Sequence, residues 1–121
     1  MERLRFDADA AFTPQEELLD KVTLAPLTSP LAAGAPVQAV FRLAAGGRIA
    51  RHLATLPQIL AVLEGSGRVS GADGDFESIR AGQAVFWSEG EEHEIVSDEG
   101  MTALVLEGPG LEPFHGRQSV A

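Results

Sequence analysis

The sequence predicts an all-β sandwich or barrel, and three observations predict it. From Pro36 onward, apolar runs of five to seven residues ("VQAVFRL", "QILAVLE", "AGQAVFW", "HEIVS", "MTALVLE") recur, and glycine-containing turns follow most of them. In the first of these, Val37, Ala39, Phe41 and Leu43 fall on one face, the period of a half-buried strand. No second helical pattern interrupts the series, which argues against alternating βαβ units.

In chain order, "TPQEELLDKV" opens with Thr13, puts Pro14 at the first helical position and Glu16 three residues after Thr13. This capping-box pattern predicts a short helix ending near Asp20 or Lys21. "APLTSPLAAGAP" follows with three of the seven prolines and reads as an irregular connector. "QILAVLE" ends at "GSG", and "RVSGADGDFESI" predicts a hairpin around Asp73-Gly74. "AGQAVFW" ends at "SEGEE", "HEIVS" at "DEG" and "MTALVLE" at "GPG", while the tail "LEPFHGRQSVA" has no periodicity and reads as frayed. The expected organisation is an N-terminal helix and connector over 1–35, a barrel core over 36–108 and a C-terminal tail over 109–121.

At 121 residues the chain has the size of one domain with a core that needs neither disulfide nor structural metal. It has no cysteine, and "MERLRFDADA" lacks the apolar core of a secretory signal, so a cytoplasmic location is expected. Pro26, Pro30, Gly34, Pro36 and Arg42 break the apolar stretch from Leu24 to Ala45, so it makes no membrane span. The formal charge is −9, and eight Asp or Glu with no Lys or Arg lie between Ala81 and Gly116. Such a surface repels phosphate backbones and anionic lipid, so neither nucleic acid nor membrane is the expected partner. Most of these charges read as a solubilising surface.

Two histidines carry the candidate chemistry. His52 precedes the run "QILAVLE", and His93 opens "HEIVS". The residues around them fall into two glycine-bounded sets: Gly47, His52, Ala54, Gln58 and Gly65, then Gly82, Ser88, Gly90 and His93. In this spacing the chain resembles the cupin superfamily over roughly residues 36–108. Cupins are small double-stranded β-helix (jelly-roll) barrels whose two antiparallel sheets enclose a pocket. The family's first motif has His-x-His, then glutamate; its second has Pro-x-Gly, then histidine. Here Ala54 stands for the second histidine, Gln58 for the glutamate and Ser88 for the proline. Strand spacing and glycines carry the fold inference past these departures, whereas the metal inference is weakened by them.

Strand parity puts His52 and position 54 on one face, and Gln58, Leu60 and Val62 on one face of the next strand. If both faces look inward, His52 and Gln58 meet across the turn through Pro57, and His93 closes the set. Two imidazoles and an oxygen approximate the two-histidine, one-carboxylate face that holds iron(II) and related ions. A neutral amide in the carboxylate's place lowers the attraction for a cation. Glu64 has Gln58's parity but lies six residues along, about 20 Å on an extended strand, and cannot replace it. Glu91, Glu92 and Glu94 crowd His93 in sequence, and one of them is a candidate to orient its ring. Ala54, Leu60 and Trp87 are the expected ligand-pocket residues; packing is the default role of Trp87, and a pocket-facing ring could instead stack on a flat ligand. His115, in the tail, reads as solvent-exposed.

Taken alone, each of His52 and His93 reads as a hydrogen-bonded core residue; together, at this spacing, ligation stands on an equal footing. "GSGRVSG" is not a dinucleotide loop, because a hairpin and no helix follows it. "DGDFES" is a turn, and Ser66 and Ser88 lack a nucleophile's context. Three readings remain. One is a metal-dependent small-molecule enzyme holding iron, nickel, manganese or zinc on His52, Gln58 and His93. The second is a metal-free module binding a small organic ligand, and the third is a structural protein acting through its surface. The resemblance also implies a homodimer.

Overall fold

Seven strands carry the chain in a computed structural model that describes residues 1–29 and 37–116. They are β1 (Leu19–Pro26), β2 (Val37–Leu53), β3 (Gln58–Ser70), β4 (Phe76–Arg80), β5 (Ala84–Trp87), β6 (Glu92–Ser97) and β7 (Met101–Glu107). All pairings are antiparallel. The first half of β2 pairs β7 through Val37↔Glu107 to Leu43↔Met101, and its second half pairs β6 from Gly47↔Ser97 to Leu53↔Glu92. β3 does the same, pairing β7 over Gln58–Gly65 and β6 over Arg68–Ser70. The ring β2-β7-β3-β6 therefore closes on itself, a jelly-roll barrel without an open edge among these four strands. β1 extends one side on β2, while β4 and β5 flank β3.

The two long strands run further than their apolar segments because glycines carry them around the barrel's corners. Gly46 and Gly65, both at φ near +80°, sit where β2 and β3 pass from one layer to the other. Two bulges accompany the crossing. One extra residue enters β2 between Ile49 and His52, and another enters β3 between Val62 and Glu64. Inside the ring, Leu43, Ile49, Leu60, Val62, Ile95 and Val105 belong to one apolar core. Burying side chains of this size stabilises by roughly 1.5–3 kcal/mol each.

The expected N-terminal helix is not formed. The only helical piece among the described residues is a 3-10 turn at Ala8–Ala10, capped by the Asp7 carboxylate, and the stretch that reads as a helix runs instead into β1. A helix from Pro14 to Lys21 would have about two turns, too short to be stable in water without a buried face. As a strand the segment buries Val22 and Ala25 and satisfies its backbone on β2 from Leu19 to Pro26. Long-range pairing thus overrides a local capping signal. The hairpin around Asp73-Gly74 joins β3 to β4, with Asp73 Oδ1 accepting from the Asp75 amide. Positions 30–36 of the expected connector and 117–121 of the tail lie outside the described residues.

Candidate functional site

The β2 bulge sets the direction of His52. Ile49 pairs Ile95 and His52 pairs His93, so three residues on β2 span two on β6, and both Ile49 and His52 line the barrel interior. At the bulge, the Ala50 amide donates to the Leu18 carbonyl (2.8 Å), and the Ala50 carbonyl faces His52 Nδ1 at 2.8 Å. That carbonyl can only accept, so Nδ1 carries a proton, and in the neutral ring the lone pair is on Nε2. His93 has the same arrangement, with Nδ1 3.4 Å from the Glu91 carbonyl.

His52 and His93 face each other with ring centroids 4.2 Å apart and planes tilted by 55°. Trp87 stacks on the far neighbour, 4.4 Å from His93 at 27°, and its indole N–H donates to the Ser70 carbonyl at 3.1 Å. His93 is 1% exposed, and its Nε2 is buried with no hydrogen-bond partner. Burial, helped by the neighbouring His52, pushes the His93 pKa down to about 4, so its imidazole is neutral near pH 7. A neutral ring with a free Nε2 is the form that ligates a metal or accepts a proton.

A cavity of about 220 Å³ opens on this pair. Gln58 and Glu107, register partners on β3 and β7, complete its polar end, and Leu24, Phe41, Ile95 and Val105 supply apolar wall. Leu18 and Glu16 from the segment before β1 close one side. Burial raises the Glu107 carboxyl above its ordinary pKa, an effect that His52 partly opposes. Among the described residues no Lys or Arg lines the cavity.

The structure thus brings His52, Gln58 and His93 to one cavity. Ala54, Leu60 and Trp87 are each buried and do not line it. Ala54 is held to the Ser88–Glu91 turn, its amide donating to the Glu91 carbonyl and its carbonyl accepting from the Gly90 amide. The carboxylates near His93 in sequence are engaged elsewhere. Glu91 accepts from the Ser88 and Ala72 amides, Glu92 pairs with Arg51, and Glu94 pairs with Arg48. It is the backbone carbonyl of Glu91, not one of these carboxylates, that faces His93 Nδ1. Among the described residues no three His, Cys, Asp or Glu side chains converge as a metal-holding group. His115 is exposed.

Glu107 and the wall from Glu16 to Leu19 were not foreseen. The alternation Met101, Ala103, Val105, Glu107 does carry Glu107's inward direction. Its meeting with Gln58, however, depends on β3–β7 register, for which the sequence holds no local sign.

No protein-family model matches the chain, and no curated protein sequence is significantly similar to it. Solved structures are. The polyketide cyclase RemF from Streptomyces resistomycificus is 25% identical, over 98% of this chain and 89% of that one, with a TM-score of 0.76. A predicted oxalate decarboxylase from Thermotoga maritima is 27% identical over 70% of this chain and 77% of that one, with a TM-score of 0.63. A Cupin 2 conserved barrel domain protein from Salinispora arenicola is 19% identical, covers 91% and 90% respectively, and has a TM-score of 0.71. The closed ring of β2, β7, β3 and β6 and the likeness to these barrels agree with the motif spacing, and the chain has the cupin-type barrel fold.

Proposed function

We propose that the cavity is a small-molecule site in which His52, His93 and Gln58 hold a divalent metal ion beside an organic ligand seated on the apolar walls. The observation that carries this reading is the buried Nε2 of His93, which has no partner although its Nδ1 is anchored. A buried polar atom left unpaired costs about 1–3 kcal/mol, so a partner in the cavity is favoured. The residues fit an ion. The two rings lie with centroids 4.2 Å apart and both Nδ1 atoms face backbone carbonyls, so both Nε2 atoms would be left to hold one ion. The Gln58 amide oxygen would be the third donor, weaker than a carboxylate for want of charge.

When bound, such an ion supplies a Lewis acid for a carbonyl or enolate oxygen. The chain's own residues do the rest. The Ala50 and Glu91 carbonyls hold both rings in one tautomer, and the apolar walls keep water from the polar end. Glu107, with its carboxyl raised toward the protonated form, is placed to hydrogen-bond a ligand oxygen. Among the described residues no Lys or Arg lines the cavity, so the protein itself offers no counter-charge to an anionic ligand, and a neutral one is the better fit. A carbonyl-rich, uncharged substrate meets these conditions, and the likeness to a polyketide cyclase supports this class over an oxalate-like dianion.

Gln58 and Ala54 favour a second reading, a metal-free pocket for the same kind of ligand. Metal analysis of tag-free protein beside a His52→Ala, His93→Ala double variant separates the two. Near-stoichiometric metal in the parent, absent from the still-folded variant, is the expected result. A metal-free parent whose sole tryptophan, Trp87, gives no fluorescence response to iron(II), nickel, manganese or zinc would overturn the metal and leave the organic pocket.

A further inference from the structure

A second site lies on the outer face of the barrel, away from the histidines. Thr23 on β1, Arg42 on β2 and Thr102 on β7 are consecutive register partners, so a hydroxyl flanks the Arg42 side chain on each neighbouring strand. Directly opposed side chains of this kind begin about 4.5–5.5 Å apart. Lys21 joins them from the break in the β1–β2 register, held at φ +56°, a left-handed conformation uncommon for a residue with a Cβ. Thr13 completes the rim. It follows Phe12, whose amide and carbonyl both bond Leu24 at 2.9 Å, so its position is fixed against β1. With Val22, Leu43, Ala44 and Met101 these five residues line a cleft of about 430 Å³ in which, among the described residues, there is no carboxylate and no aromatic ring.

The Arg42 guanidinium is without a counter-charge. Its Nη1 is shut off from solvent and has no hydrogen-bond partner. Arg5, Arg48, Arg51 and Arg68 each pair with a carboxylate, whereas Arg3, Lys21, Arg42 and Arg80 are in no salt bridge among the described residues; of these only Arg42 has a side-chain nitrogen that is both buried and unpartnered. In a chain of formal charge −9, two cations and three hydroxyls gathered without an acid are a local reversal of sign. A partly desolvated cation with no partner favours binding of an anion, and charge-assisted bonds to guanidinium are the strong ones.

We infer that this cleft binds a tetrahedral oxyanion, the phosphate group, with Arg42 and Lys21 as its charged donors and Thr13, Thr23 and Thr102 as hydroxyl donors. No aromatic side chain among the described residues is there to stack a base or ring, so the phosphate group is taken as the determinant. It arrives free or as the head of a small phosphate monoester.

The test is an amide-shift NMR titration of the full chain with inorganic phosphate, sodium chloride holding ionic strength constant. Saturable shifts are expected around Lys21–Thr23, Arg42–Ala44 and Thr102, with the His52 and His93 region unmoved. In Arg42→Gln the affinity falls about tenfold to a hundredfold, the loss of one charged hydrogen-bonding group. Thr102→Val gives a smaller fall and serves where Arg42→Gln does not fold. A parallel titration with glycerol phosphate separates the sources: tighter binding than inorganic phosphate indicates a monoester, weaker binding the free ion. The inference is overturned by non-saturable shifts, by unchanged affinity in both variants, or by acetate binding as tightly as phosphate. It is equally overturned if light scattering finds a dimer that Arg42→Gln dissociates, because a second copy would then neutralise the guanidinium.

Discussion

His93 has no room for a second charge beside it. Packed between His52 and Trp87 and shut away from solvent, it meets an environment that favours the neutral ring. Its pKa accordingly moves from 6.5 in the unfolded chain to about 4 in the folded one, through burial first and His52 second. Between those values the unfolded chain binds a proton that the folded chain refuses, so unfolding free energy rises with pH across the window. The contribution is complete above pH 6.5 and is lost as pH falls toward 4. Glu107 acts with the opposite sign, since its raised pKa makes the folded state the better proton acceptor. In chelator-treated protein, urea unfolding should therefore show the parent losing about 2 kcal/mol more than His93→Asn between pH 7 and pH 5. Equal losses in the two proteins would mean that His93 titrates normally in the folded state. The same neutrality keeps Nε2 available to a ligand at neutral pH.

At the scale of elements, the corners of β2 and β3 decide where the functional side chains point. Gly65 marks the corner in β3, with φ +80° and with the carbonyl oxygen of Gly100 lying where a Cβ would stand. That carbonyl belongs to the β6–β7 turn, which Ser97 fixes by accepting from the Gly100 amide and donating to the Ser66 carbonyl. Gly74 has nearly the same φ, +79°, yet nothing lies within 4 Å of its missing Cβ. Gly65→Ala should thus cost about 3 kcal/mol or more, from backbone strain and collision together, and Gly74→Ala about 1 kcal/mol from strain alone. Denaturant midpoints of the two variants check this, and equal costs would show that the β6–β7 turn can yield. The comparison also indicates what the sequence could convey. The alternations through Phe41, Leu60 and His93 are local and were legible, as was the glycine spacing behind the barrel. The bulges before His52 and after Val62 were not, because an extra residue is defined only against the partner strand's register. The segment from Thr13 carried a valid capping signal, yet residues 13–18 form no helix and its end, from Leu19, is drawn into β1 by the distant β2. The polar end of the cavity was legible in His52, Gln58 and His93 through motif spacing, whereas Glu107 needed the β3–β7 pairing. Arg42 gave no sign in sequence of lacking a counter-charge, which depends on which acids the fold leaves out of its reach.

Across the whole molecule, the two layers of the barrel share backbone. β2 runs without interruption from its pairing with β7 to its pairing with β6, and β3 does likewise. Neither layer can lose its central strands without tearing the other, and the apolar core between them draws side chains from both. This geometry opposes partial unfolding and makes a single cooperative transition the expected behaviour for a domain of this size. Trp87 is well placed to report it. Its ring stacks on His93 of one layer, its indole N–H is bonded to Ser70, and its strand pairs β3 in the other layer. Loss of contact between the layers exposes it even if each sheet keeps its hydrogen bonds. Tryptophan emission and far-ultraviolet circular dichroism, followed through one urea titration of the metal-free protein, should then give coincident midpoints and equal slopes. An emission change that precedes the loss of sheet signal would mean that the layers part before the strands do, and that the cavity around His52 and His93 opens by separation of the sheets.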